Sequence, residues 1–322
     1  MKEVTVGIDI GGTNSSIGLV DKTGTVVQST ILETKMYDTV EPYIKACNDA
    51  ITDLLNAGDE EYDLKGIGIG APNANYYRGT IENAPNLPWK GVIPFKEMFL
   101  KLRNVPFALT NDANAAAIGE TIFGVAKGME NIVVLTLGTG LGSGIVVNGD
   151  IVYGYSGFAG EMGHVIVYPG GRECGCGQMG CLETYVSATG VCKTATELMA
   201  KWRADSPLRK YNVDELTSKK ISVAALENDP IALKTFDRTA EILAIAIANT
   251  LAYTSPEAIV LFGGLAKSGD LLMKPLQKWL DKYVLIFYKD TFKVLFSALE
   301  EDNAAILGAS ALAWKEIEKT AQ

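Results

Sequence analysis

The stretch VTVGIDIGGTNSSIGLVD, Val4 to Asp21, sets the reading of the fold. A β-rich run ends at the paired glycines Gly11 and Gly12, and a second run, SSIGLVD, follows at once. After the turn signal KTG comes a third run, VVQSTIL, so the chain opens as an antiparallel meander. Asp9 falls near the end of the first strand, beside a turn whose glycines let backbone N–H groups approach a ligand closely. Thr13 adds a hydroxyl, and an aspartate in this position suits Mg²⁺, held directly or through water. Taken alone, the stretch reads as an ordinary hairpin turn.

A second copy of the plan changes the balance. NIVVLTLGTGLGSGIVVNGDIV, from Asn131, again runs strand, Gly/Thr turn, strand, polar turn, strand, with the turn at Gly138, Thr139 and Gly140. The echo suggests two halves built alike. Between them, EPYIKACNDAITDLLNAG has helical apolar spacing and closes at Gly58, while KGIGIGAP and FALTND read as buried parallel strands ending in functional loops. Further on, IALKTFDRTAEILAIAIANTLAY forms a long apolar helix, AIVLFGG a strand ending at Gly263 and Gly264, and NAAILGASALAWKEIEK a helix with small residues on one face. Strands alternating with helices define an α/β protein. No P-loop is present, and GIGIGA, which mimics a dinucleotide fingerprint, is followed by Pro72 where a helix should begin.

The 322 residues are 48% hydrophobic and carry a formal charge of -9, with an ordinary globular composition. An acidic chain is a poor partner for nucleic acid or an anionic membrane. The N-terminus makes a poor signal peptide and no apolar run is long enough to span a bilayer, so the expected location is the cytoplasm. Five cysteines, three of them clustered, do not form a secreted disulfide framework.

Two segments carry chemistry. In LTNDANAAAIGE, Asn111 and Asp112 stand at a strand end before an Ala-rich helix. Asp112 reads either as the helix cap or as a general base at the edge where α/β sheets bind ligands. In GHVIVYPGGRECGCGQMGC, the sole histidine, His164, joins Cys174, Cys176 and Cys181 in the pattern H-x9-C-x-C-x4-C. Four nitrogen and sulfur donors suit tetrahedral Zn²⁺, and a full set of four leaves no open position, so the metal would be structural. Glu161 and Glu183 bracket the segment. Read as carboxylates that accept hydroxyl protons from a polyol, they make the metal segment a clamp for a sugar. Loosening it should then affect sugar more than nucleotide.

With these pieces in order, the sequence resembles the ROK family of repressors and sugar kinases, specifically its bacterial glucokinase type. The resemblance rests on GIDIGGTN, GIGAPNA, ENAPNLPW, TNDANAAAIGE, LTLGTGLGSGI, AGEMGH, CGCGQMGCLE and LFGG. It implies a two-domain actin/hexokinase-like (ribonuclease H-like) α/β fold around a cleft. The smaller domain would be residues 1–113 plus 304–322, and the larger 114–303. It implies Asp112 as the base, and Asp9, Gly11, Gly12, Thr13, Gly138, Thr139 and Gly140 around the ATP phosphates and Mg²⁺. Gly263 and Gly264 would lie near the adenosine. Asn111, Glu161, His164, Glu183 and, more weakly, Asn86 would meet the sugar. His164 would ligate zinc through one ring nitrogen and face the sugar with the other. Asn14 departs from the Lys or other polar residue common in the family. Homodimers or homotetramers are usual for such kinases.

The implied reaction is transfer of the ATP γ-phosphoryl to a hexose, foremost the 6-hydroxyl of glucose. Fructose, mannose or an N-acetylhexosamine are the alternatives within the family. A sugar-sensing repressor is the rival from another class, disfavoured because the first strand begins near Val4 and leaves no room for an N-terminal helix-turn-helix. A zinc hydrolase is disfavoured because all four metal ligands are assigned.

Overall fold

A computed structural model describes residues 1–299 and 301–321. The opening meander forms as β1 (Lys2–Ile10), β2 (Ser15–Asp21) and β3 (Val26–Leu32), followed by α1 (Val40–Leu55) and β4 (Tyr62–Gly70). A small three-stranded sheet, β5 (Ala74–Asn75), β6 (Thr80–Glu82) and β7 (Val92–Ile93), precedes α2 (Phe95–Leu100), β8 (Phe107–Thr110) and α3 (Asp112–Ile122). The second half begins with β9 (Ile132–Leu137), β10 (Leu141–Val147) and β11 (Asp150–Ile151). It continues through α4 (Glu183–Val186), α5 (Ala188–Lys201), α6 (Ser218–Leu226), α7 (Pro230–Thr254), β12 (Ala258–Phe262), α8 (Asp270–Tyr283) and β13 (Lys293–Phe296). The last helix is α9 (Glu301–Ala321).

The first sheet has the order β3-β2-β1-β4-β8 and the second β11-β10-β9-β12-β13. Counted within each half, both orders are 3-2-1-4-5. The echo heard in the two Gly/Thr turns is therefore an echo of whole sheets. In each, the first strand runs parallel to the fourth, and the fourth to the fifth. The three parallel strands end on one edge, with Asp9, Gly70 and Thr110 at that edge in the first half. The glycine-rich part of GIGIGA, Gly66 to Gly70, closes β4, and the chain after it turns into the small sheet rather than a helix.

The chain packs as two compact units. One comprises Met1–Glu130, Gly144–Gly160 and Ala298–Gln322, the other Asn131–Ser143 and Glu161–Ser297. The core of the first is built from Val4, Val6, Ile8, Ile67 and Ile69 against Tyr43, Ile51, Phe95 and Phe99. Its other face is covered by α9, which lies unusually close to the sheet. A Cβ at Gly7 would stand 2.0 Å from the Ile306 carbonyl oxygen, and one at Gly68 1.9 Å from that of Ala309. These strand glycines and the small residues of α9 are therefore one design: backbone meets backbone. In the second unit, Ile132–Leu135 of β9 and Ala258–Leu261 of β12 are fully buried. Among the described residues, no helix is long and apolar enough to cross a membrane.

Candidate active site and metal centre

In the first unit, the Gly11 N–H donates to the Asn14 carbonyl (3.0 Å), which closes the turn after β1 and leaves Thr13 exposed. Asn86 sits against this turn, for a Cβ at Gly12 would meet its carbonyl oxygen at 2.3 Å. The segment around Asn86 is anchored by Trp89, whose Nε1 donates to the Tyr37 carbonyl and whose ring lies 4.6 Å from that of Tyr43.

The capping question at α3 is resolved by its neighbour. Asn111 is the N-cap, and its Oδ1 accepts from the Ala113 N–H at 2.9 Å. Asp112 is the first helical residue; its Oδ1 shares the same N–H at 2.8 Å. With the cap supplied by Asn111, Asp112 is exposed to solvent and available for chemistry. Protein crowding around it raises its carboxyl above the usual aspartate value, opposed by the Ala113 N–H. Asp9 lies near enough to feel that charge. Its carboxyl is pushed up to about 7, first by desolvation and then by Asp112. Two aspartates with raised affinity for protons, at the ends of the parallel strands β1 and β8 that flank β4, are poised to receive a proton or a cation.

In the second unit, the Gly138–Gly140 turn and the Gly263 turn are adjacent, because the Leu265 N–H donates to the Leu137 carbonyl (3.1 Å). Gly263 adopts a left-handed φ of 96°, and Gly264 beside it is exposed.

The metal segment folds as a small hairpin. Ile166 bridges to Cys181 and Glu173 to Met179, which carries His164 to the cysteines. The donor atoms of His164, Cys174, Cys176 and Cys181 all lie within 4.8 Å of one another. Bonds of about 2.3 Å to sulfur and about 2.0–2.1 Å to nitrogen put tetrahedral neighbours about 3.6–3.8 Å apart. His164 Nδ1 is 3.6 Å from Cys174 Sγ, and Cys176 Sγ is 3.6 Å from Cys181 Sγ. The donor set and its spacing therefore fit zinc. With Nδ1 facing Cys174 Sγ, the histidine's Nε2 is the ring nitrogen outside that contact. Glu161 is exposed at the start of the segment, where its carbonyl accepts from the His164 N–H.

Two features were not visible from spacing. The first is Arg172, inside the metal segment. It donates to the carbonyls of Thr184 and Gly190, to Thr194 Oγ1 and to Glu197, and its guanidinium lies 4.4 Å from the Tyr185 ring. This pins the base of the hairpin to α4 and α5 without help from a metal. The second is Glu183, whose Oε2 accepts from the Leu141 N–H at 2.9 Å, directly after the Gly138–Gly140 turn. The turn lies on other strands than the metal segment, yet Glu183, which brackets that segment, is hydrogen-bonded to it.

Doubled sheets of order 3-2-1-4-5, each with a Gly/Thr turn and with an aspartate pair on the first, define the actin/hexokinase-like class of phosphotransferases. The model of the ROK family matches residues 5–316, and the chain belongs to that family. It is 37% identical over 307 residues to a glucokinase of Halalkalibacterium halodurans, covering 94% of this chain and 93% of that one. It is 30% identical to a xylose repressor of Caldicellulosiruptor bescii, covering 95% of this chain and 77% of the repressor. Among solved structures, a ROK family glucokinase from Streptomyces griseus in complex with glucose and AMPPNP superposes with a TM-score of 0.79 at 31% identity, over 97% of this chain and 99% of that one.

Proposed function

We propose that this chain is an ATP-dependent glucokinase. The observation that carries the reading is Asp112, released from capping by Asn111 and raised in proton affinity, in a chain so similar to ROK glucokinases. Phosphoryl transfer needs alignment and charge neutralisation more than covalent chemistry. Asp112 accepts the proton of the sugar 6-hydroxyl as its oxygen attacks the γ-phosphorus of ATP, and ADP leaves. Asn111, Glu161, His164 and Glu183, with Asn86, hold the sugar hydroxyls so that this oxygen faces the phosphate. Gly11, Gly12, Thr13, Gly138, Thr139 and Gly140 offer N–H and hydroxyl donors to the phosphates, and Gly263 and Gly264 border the adenosine. Mg²⁺ bound near Asp9 would supply neutralising charge. The chain would act in the cytoplasm on the entry of glucose into sugar breakdown, as a homodimer or homotetramer.

His164, Cys174, Cys176 and Cys181 would hold a structural zinc, since four protein donors complete the tetrahedron. Elemental analysis of untagged protein should return about one zinc per chain. Full activity in protein stripped of metal would remove any need for it.

The assignment of glucose is tested by ADP release in parallel reactions with glucose, fructose, mannose, N-acetylglucosamine and N-acetylmannosamine. Glucose should give the highest kcat/KM. A higher value for another member of the panel would transfer the assignment to that sugar.

A further inference from the structure

We propose that Glu183 is a positioning residue for nucleotide binding, through which the metal segment holds the Gly138–Gly140 turn in shape. The proposal rests on the reading of that turn as a phosphate site. Glu183 opens α4 two residues after the metal ligand Cys181, so its backbone is placed by the metal hairpin. Its Oε2 accepts from the Leu141 N–H at 2.9 Å, and its Oε1 lies 3.8 Å from Cys174 Sγ. The carboxylate reaches the turn only because residue 140 is glycine: a Cβ there would stand 2.4 Å from Oε2.

The same helix junction grips the rest of the turn. The Ala188 N–H donates to the Gly138 carbonyl at 2.9 Å, and Thr189 Oγ1 donates to the Thr139 carbonyl at 3.0 Å. Ser187 Oγ donates back to the Glu183 carbonyl at 2.7 Å, closing the junction on itself. The turn is thus tied at Gly138 and Thr139 by the start of α5 and at Leu141 by Glu183. Of these ties, only Glu183 contacts both the metal ligands and the turn. A carboxylate accepting a backbone N–H is a strong, charge-assisted bond, and its loss should free the turn locally. A residue that met only the sugar would have no effect on nucleotide bound in the absence of sugar.

The test uses the full-length, zinc-loaded protein and two readouts. Hydrogen exchange of a peptide spanning Thr139–Gly142, without ligands, reports the tie itself. Calorimetric titration with a non-hydrolysable ATP analogue and Mg²⁺, without sugar, reports its consequence. Glu183→Ala should speed exchange at Leu141 at least ten-fold and weaken the analogue at least five-fold. Glu183→Gln, which keeps an acceptor oxygen for the Leu141 N–H, should restore analogue affinity to within two-fold. Unchanged or tighter analogue binding in Glu183→Ala, or a Gln variant as weak as the Ala variant, overturns the proposal. If the Ala variant does not fold, the Gln variant is combined with Gly140→Ala, which displaces the carboxylate sterically. The combination should be no weaker for the analogue than Gly140→Ala alone, and additive losses would count against a shared contact. Failure of the wild-type protein to bind the analogue would instead refute the phosphate reading, while the exchange result would still report on the tie.

Discussion

Asp112→Asn is expected to lower turnover by about 10²–10⁴-fold, the usual worth of a positioned general base, while leaving the protein folded and able to bind glucose. The substitution is mild in structural terms. Ala113 N–H already has Asn111 Oδ1 as acceptor at 2.9 Å, and an asparagine at 112 keeps an oxygen for the same bond. What it removes is the ability to take up a proton. The raised proton affinity of Asp112 makes it a better base near neutrality than an ordinary aspartate, so the loss falls on kcat. Steady-state kinetics with a calorimetric measurement of glucose affinity separates the two effects. A variant with near-normal kcat would remove Asp112 from the chemistry.

Asp9→Asn should produce the opposite pairing, a more stable protein with little activity. Asp9 is partly buried beside Asp112, and its carboxyl is pushed up to about 7 from an ordinary 3.8. A folded-state value above the unfolded one means that the folded protein binds the proton more tightly. The stability from this group is therefore complete below about pH 4 and is lost as the pH rises through about 7. Asparagine carries no such cost. Because Asp9 retains some access to water, the gain at pH 8 should be about 2 kcal/mol, less than the full shift would give. Unfolding of both proteins at pH 4.5 and pH 8 checks the sign: the advantage of the variant should be small in acid and larger in base. An equal advantage at both pH values would contradict the assignment of the shift to Asp9. In the wild-type enzyme at limiting Mg²⁺, activity should rise as the pH passes through about 7, because a cation needs the ionised carboxylate.

Much of this site can be read from neighbouring residues. The turn after β1 and the turn after β9 announce themselves as glycines ending apolar strands, and the metal ligands lie within one short segment. The capping role at α3 was ambiguous because Asn111 and Asp112 are both good caps; only the backbone geometry assigns it to Asn111. The small sheet of β5, β6 and β7 leaves no alternation to detect, as its strands are two or three residues long. Arg172 stands unmarked among the metal ligands, and Glu183 reads as a sugar contact rather than as a partner of the Gly138–Gly140 turn, because their partners are distant in sequence or are backbone atoms. The bond from Leu141 to Glu183 spans 42 residues and involves an N–H that every residue but proline possesses. Local pattern has no means of choosing it. The close approach of α9 is an intermediate case: Gly7 and Gly68 look like ordinary strand glycines until Ile306 and Ala309 are placed over them.

The most direct measurement is ³¹P NMR of the purified protein with ATP, Mg²⁺ and glucose. A new phosphomonoester signal from glucose 6-phosphate is expected, growing in step with ADP, absent without glucose and slowed by about 10²–10⁴-fold with Asp112→Asn. Glucose binding with no sugar phosphate formed, or ADP released together with inorganic phosphate alone, would contradict it.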